Sequence, residues 1–200
     1  MNREPLKLGI TGSIGMGKTT IVREIHKFGF PIWEADTVVH NLYKRGKKGY
    51  EIIKDLVPEA VLDTSVNRQA LANAILQHPT VLTKINNLLH PLINSDRLQF
   101  IQKKKNSKML VFDIPLLFEN ACEQWLDKII VATAPFIIQK NRVLTREAMT
   151  EDKFYFILSQ QMSNEEKIKK ADFIIDTNIE ISLLSRNIKN IVDEILRHHD

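Results

Sequence analysis

The stretch Gly12-Ser13-Ile14-Gly15-Met16-Gly17-Lys18-Thr19 constrains this chain more than any other. It has the form G-x-x-x-x-G-K-T and lies between the apolar run Leu6-Lys7-Leu8-Gly9-Ile10-Thr11, which reads as a short buried strand, and Thr20-Ile21-Val22-Arg23-Glu24-Ile25, which reads as the opening of a helix. Strand, loop and helix in that order are the setting a P-loop requires. Glycines allow backbone conformations closed to other residues and turn several N–H groups towards one anion. The helix beginning near Gly17 points its positive end at the same place. Such a cavity binds polyphosphate, with Lys18 within reach of β- and γ-phosphoryl oxygens and the Thr19 hydroxyl suited to Mg²⁺. A glycine-rich turn followed by a surface lysine would carry the same letters. Chance produces them only about once in a hundred chains of this length, and four of the seven glycines, Gly9, Gly12, Gly15 and Gly17, crowd into this window.

Two hundred residues fit one domain with an inserted lobe and suffice for a proper core. Lys+Arg number 28 against 24 Asp+Glu, a net charge of +4. That mild surplus suits phosphorylated small molecules and is weak evidence for nucleic acid, which usually calls for a concentrated basic face. The basic turn at 44–49 is read as solvated surface. Cys122 is the sole cysteine, so no disulfide framework is expected and a reducing compartment is. The N-terminus lacks the succession of a signal peptide, and no apolar run approaches membrane-spanning length. The expectation is a cytoplasmic protein, a monomer or weak homo-oligomer, with no nucleic-acid or membrane partner.

The helix from Lys18 should reach Lys27 or Phe28 and stop at Gly29. Phe30-Pro31-Ile32-Trp33 reads as a second strand ending at Glu34-Ala35-Asp36, which puts Asp36 at the carboxyl end of a strand, where open parallel sheets bind ligands. The same aspartate, ahead of Thr37-Val38-Val39, also reads as a helix N-cap. Residues 50–105 read as helices. One is expected over 67–76. A second begins after Pro79 with Val81, Leu82, Ile85, Leu88, Leu89 and Leu92 at helical spacing, and His90-Pro91 should interrupt it. His90 reads as either a packing residue or a ligand contact. Lys103-Lys104-Lys105 marks a polar exit.

Met109-Leu110-Val111-Phe112-Asp113 is an apolar run closed by an aspartate, in the style of a Walker B strand whose carboxylate lies beside Mg²⁺. Ile114 follows where motor ATPases place a glutamate. Lys128-Ile129-Ile130-Val131-Ala132-Thr133 and Ala171-Asp172-Phe173-Ile174-Ile175-Asp176 are further strands. The segment between them is rich in charge, and Arg142 and Arg146, four apart, should share one helical face. Such a pair fits a lid that neutralises phosphate charge or an ordinary exposed face. Leu184, Ile188, Ile191, Val192, Ile195 and Leu196 form the apolar stripe of a last helix that should pack on the sheet. The fold class expected is α/β: a three-layer P-loop NTPase fold with a mostly parallel five-stranded sheet. It carries a helical substrate-binding insertion over about 39–105 and a helical lid over about 135–170, in one domain spanning 1–200.

Read together, these segments resemble the dephospho-CoA kinase family. The resemblance runs nearly end to end. It is carried by the glycine-rich loop, Ala35-Asp36, Asn87-Leu88-Leu89-His90-Pro91-Leu92-Ile93 and Asp113-Ile114-Pro115-Leu116-Leu117-Phe118-Glu119. Gln139-Lys140-Asn141-Arg142 with Arg146, Gln160-Gln161 and Ala171-Asp172-Phe173-Ile174-Ile175-Asp176 complete it. It implies a transferase that uses ATP and Mg²⁺ to phosphorylate the ribose 3′-hydroxyl of dephospho-CoA. Gly12, Ser13, Ile14, Gly15, Met16, Gly17, Lys18, Thr19 and Thr20 would bind ATP together with Arg142 and Arg146. Thr19 and Asp113 would hold the metal, and Lys18, Asp36 as general base and Arg142 would be catalytic. Asp36, His90, Pro91, Leu116 and Leu117 would hold the acceptor. The chain departs from the family in several places. Ser13 and Met16 stand for the usual Gly and Ser, Glu34 for Asp, Asn164 for a frequent arginine, and Thr177-Asn178-Ile179 for Asn-Asn-Gly. The competing readings are another P-loop kinase, acting on a nucleoside monophosphate or sugar acid, and a nucleotide-dependent binding module without acceptor chemistry.

Overall fold

A computed structural model describes residues 4–147 and 149–199; residues 1–3, 148 (inside the expected lid) and 200 lie outside it. Five strands, β1 (Leu6–Thr11), β2 (Ile32–Glu34), β3 (Met109–Asp113), β4 (Lys128–Thr133) and β5 (Phe173–Asp176), form one sheet in the order β2-β3-β1-β4-β5. The pairings β1·β3, β1·β4 and β4·β5 are parallel. Strands covered on both faces need no alternation of polar residues, and β1, β3 and β4 are accordingly buried along nearly their whole length. Helices α1 (Lys18–His26) and α9 (Ile181–His199) share the first core with the sheet: Leu8, Ile10, Ile21, Ile25, Ile130 and Ile188 are wholly buried in it. In α9 the buried residues Leu184, Ile188, Val192 and Ile195 recur at helical spacing, as the stripe predicts. Helices α6 (Phe136–Leu144), α7 (Glu151–Ser159) and α8 (Asn164–Lys169) occupy the stretch between β4 and β5.

The described residues fall into two compact units, one made of those up to Trp33 together with those from Lys104 onward, the other Glu34–Lys103. The second unit holds α2 (Ala35–Leu42), α3 (Lys48–Leu56), α4 (Arg68–Gln77) and α5 (Pro79–Lys103), with a core of its own around Tyr50, Ile53, Leu71, Ile85 and Leu89. Asn67 caps α4 through bonds from the Gln69 and Ala70 N–H groups.

Two expectations are corrected here. Helix α5 is not interrupted at His90-Pro91 but runs through it for 25 residues. Pro91 cannot donate to the Asn87 carbonyl; Ile85 and Leu89, buried before it, and Leu92 and Ile93, packed after it, hold the helix together across that gap, so tertiary packing overrides propensity. The basic turn is also shorter than expected, because Lys48 and Gly49 open α3. No described helix is long and apolar enough to cross a membrane.

Glu24 of α1 is 3 % exposed and accepts from the Lys27 ammonium at 2.6 Å. That bond holds its carboxyl below the usual glutamate range, against the opposing effect of burial, with Ser185 and Arg23 helping. A carboxyl whose pKa is lowered on folding stabilises the fold above its unfolded pKa, and the gain is lost as pH falls through the native value. We expect Glu24→Gln to lower the melting temperature at pH 7 by about 2–4 °C, the shift for ~1 kcal/mol in a chain of this size. Wild type and variant should converge in acid; a difference in melting temperature that is independent of pH would show that the charge plays no part.

Candidate active site

Buried β1 delivers the chain to the loop, and the glycines there have definite reasons. Gly15, at φ 78°, follows the pattern of a turn closed by the Met16 N–H donating to Ser13 C=O at 3.1 Å. A Cβ at Gly15 would lie 2.6 Å from Val143 and 2.8 Å from the Gln139 carbonyl of α6. Gly17 is the left-handed N-cap of α1 at φ 80°, and a Cβ there would lie 2.6 Å from the Thr177 hydroxyl. Met16 fills a different role from any expected of it: its side chain is buried in the core, and its sulfur accepts from the Ala134 N–H at 3.1 Å.

Lys18 opens α1 and its ammonium bonds the carboxylate of Asp113 at the carboxyl end of β3, 95 residues away. The two side chains are only 15 % and 13 % exposed. The lysine of the loop and the acid of the Walker B-like strand thus meet, because β1 and β3 are parallel neighbours with Ile10 opposite Asp113. Thr19 is exposed beside them.

Arg142 and Arg146 do not share a helical face. Helix α6 ends at Leu144, with Thr145 as its cap. The Thr145 hydroxyl donates to the Arg142 carbonyl at 3.0 Å, a local bond that competes with helix continuation. Arg146 therefore lies in the turn beyond, its N–H donating to Val143 C=O. Arg142 reaches Thr177, donating to its hydroxyl at 2.8 Å and its carbonyl at 2.9 Å. Leu116 is partly exposed, whereas Leu117 is wholly buried and would contact a Cβ at Gly9.

In the second unit, Asp36 is not the cap of α2. Glu34 holds that position without a side-chain cap bond, its carboxylate accepting instead from the Thr37 hydroxyl at 2.6 Å. Asp36 lies in the first turn and is exposed, as are His90 and Pro91 on α5.

Three contributors escaped sequence reasoning as to role. Gln139 Nε2 donates to the Ile14 carbonyl at 2.7 Å, the Ile14 N–H donates to Gln161 Oε1 at 3.0 Å, and the Thr177 hydroxyl donates to the Met16 carbonyl at 2.9 Å. These bonds span 125, 147 and 161 residues, and no periodicity or short motif encodes contacts so far apart.

Among known proteins, a family model described as dephospho-CoA kinase matches residues 6–182. The dephospho-CoA kinase of Ruegeria pomeroyi is 41 % identical over 172 residues, covering 86 % of this chain and 87 % of that protein. That of Bartonella quintana is 37 % identical over 193 residues, covering 96 % and 98 %. Among solved structures, TT1252 from Thermus thermophilus aligns with a TM-score of 0.84 at 28 % identity, over 96 % of this chain and 98 % of that one.

Proposed function

The chain belongs to the dephospho-CoA kinase family, kinases that phosphorylate dephospho-CoA with ATP in coenzyme A biosynthesis, and from that premise we propose how its residues divide the work. The observation that carries the division is the glycine loop ending in Lys18 with Asp113 bonded to it. Backbone N–H groups of the loop, those of Gly15 and Gly17 foremost, and the positive end of α1 take the triphosphate. Lys18 neutralises the β- and γ-phosphoryl oxygens, and Arg142 and Arg146 offset charge as the γ-phosphoryl group moves.

Thr19 and Asp113 would hold Mg²⁺. A hydroxyl and a carboxylate are a fitting offer, since this ion keeps several waters and takes nucleotide oxygens instead of filling an all-protein cage. When bound it would supply positive charge that offsets the negative charge of the transferring phosphoryl group.

Asp36 is the general base. Its carboxylate accepts the proton of the ribose 3′-hydroxyl as the new O–P bond forms and the bond from the γ-phosphorus to the β-bridging oxygen breaks, releasing ADP. Its exposure and its freedom from capping support this role over a purely structural one. His90, Pro91 and Leu116 hold the rest of the acceptor, while Leu117 is wholly buried and packs towards Gly9. The helices over about 39–105 form the acceptor-binding insertion and those over about 135–170 the lid, both parts of a single kinase domain. The lone cysteine, Cys122, suits the reducing cytoplasm, where we place the enzyme. We assign it ATP and dephospho-CoA as its partners, as a monomer or weak homo-oligomer.

A panel of acceptors with γ-labelled ATP tests the assignment. Label should pass to dephospho-CoA and not to a nucleoside monophosphate or a sugar acid. Comparable transfer to either of those would reject it.

A further inference from the structure

We propose that Gln139, Thr177 and Gln161 are positioning residues for ATP: three side chains from outside the 12–19 loop that set the direction of its phosphate-facing amides. A trans peptide plane carries its C=O and the following N–H on opposite sides. Fixing one therefore aims the other. Gln139, 2 % exposed, donates to the Ile14 carbonyl at 2.7 Å, so the Gly15 N–H points away from α6. The buried Thr177 hydroxyl donates to the Met16 carbonyl at 2.9 Å, so the Gly17 N–H points away from the segment after β5. Gln161 accepts from the Ile14 N–H at 3.0 Å, which leaves the Ser13 carbonyl facing the Met16 N–H that closes the turn. The Ile14 and Met16 carbonyls are thus held from behind, and the Gly15 and Gly17 amides that follow them are turned the other way, the arrangement an anion needs.

Each of the three side chains is itself held. Arg142 donates to the Thr177 oxygen at 2.8 Å, which leaves the hydroxyl proton for a carbonyl; besides Met16, that of Thr133 lies 3.2 Å away. The Thr177 N–H is tied to the Thr133 carbonyl at 2.8 Å. Next to Gln161, the Met162 N–H donates to Glu119 at 2.8 Å, and Glu119 is paired at 2.9 Å with the fully buried Lys167. Gln139 is pressed against the loop, its main chain 2.8 Å from where a Gly15 Cβ would stand. Two of the anchors, on α6 and beyond α7, belong to the stretch between β4 and β5, so the shape of the phosphate cradle depends on where that stretch is docked.

The inference rests on the reading of the loop as the ATP site. The test is ATP affinity by calorimetry, KM for each substrate and thermal unfolding, for Thr177→Val, Thr177→Ser, Gln139→Met and Lys18→Ala. Valine keeps the shape of threonine without its hydroxyl, serine keeps the hydroxyl, and methionine fills the glutamine site without a donor. Thr177→Val and Gln139→Met should each weaken ATP binding about tenfold, the effect of misdirecting an amide donor worth about one charge-assisted hydrogen bond. KM for dephospho-CoA should stay within about twofold, and Thr177→Ser should restore ATP affinity. Unchanged ATP affinity in both variants, with Lys18→Ala weakened, would overturn this assignment alone. Parallel loss for both substrates, or no rescue by serine, would reduce the three residues to packing. Lys18→Ala binding ATP like wild type would overturn the site reading and this inference with it.

Discussion

Lys18→Ala should lower kcat by about a hundred- to a thousandfold, the range measured when one preorganised donor to developing charge is removed. In the proposed division of work Lys18 is the cation that meets charge on the transferring group, and its neighbours Thr19 and Thr20 are neutral. The variant also leaves the Asp113 carboxylate, 13 % exposed, without its ammonium partner. That costs stability of about 1–3 kcal/mol, less than for a sealed pair because water reaches both groups. At about 2–4 °C per kcal/mol the melting temperature falls by several degrees while the fold persists. Turnover and stability are therefore lost on different scales. Near-normal ADP formation in the presence of dephospho-CoA, from a folded variant, would remove Lys18 from the chemistry.

Asp36→Asn should lower kcat by about 10²–10⁴-fold, the usual contribution of a general base, with ATP affinity within about twofold of wild type. The size of the effect separates catalysis from architecture. An exposed acid in the first turn of a helix contributes about 0.3–1 kcal/mol through the helix dipole, and asparagine gives up no more than that. No loss of fold on that scale accounts for a hundredfold drop in turnover. Equal and small losses in turnover and stability would return Asp36 to a structural role in α2. The two variants are also expected to differ from each other. Lys18→Ala impairs handling of the donor, whereas Asp36→Asn spares ATP and impairs the transfer step.

The elements most legible in the sequence were those whose pattern is local. The apolar runs over Met109–Asp113 and Lys128–Thr133 coincide with β3 and β4 to the residue, because buried parallel strands are written as unbroken hydrophobic stretches. The stripe of α9 and the loop before α1 were equally plain. What failed was propensity read without its tertiary setting. Pro91 should have broken α5, but the core of the second unit holds both halves of the helix. Arg146 should have continued α6, but the Thr145 hydroxyl bonds back to the Arg142 carbonyl and the helix ends two residues short of it, at Leu144. Asp36 looked like a cap because acidic residues favour that position, yet the chain turns into α2 two residues sooner, at Glu34.

At the site, the singling out of Lys18 and of Asp113 followed from two motifs, one naming a partner for phosphate and the other a partner for metal, though the bond between the two did not. The ties of Gln139, Gln161 and Thr177 to the loop did not. A glutamine or threonine bonded to a backbone carbonyl or N–H leaves no trace in hydrophobic periodicity, and its partner lies more than a hundred residues away in each case. The resemblance to the family marked Gln139, Gln161 and the neighbourhood of Thr177 as segments of interest without saying what they touch. Their geometry supplies that: two carbonyls and one N–H of the loop are held from behind.

The central claim is that the 12–19 loop grips the ATP phosphates while Asp36 faces the acceptor ribose. A crystal structure with a non-hydrolysable ATP analogue and dephospho-CoA tests it most directly. The account predicts the β- and γ-phosphates at about 3 Å from the Gly15 and Gly17 amides and the Lys18 ammonium, and an Asp36 oxygen at about 3 Å from the ribose 3′-oxygen. Phosphates bound away from those amides, or an Asp36 carboxylate turned from the acceptor, would contradict it.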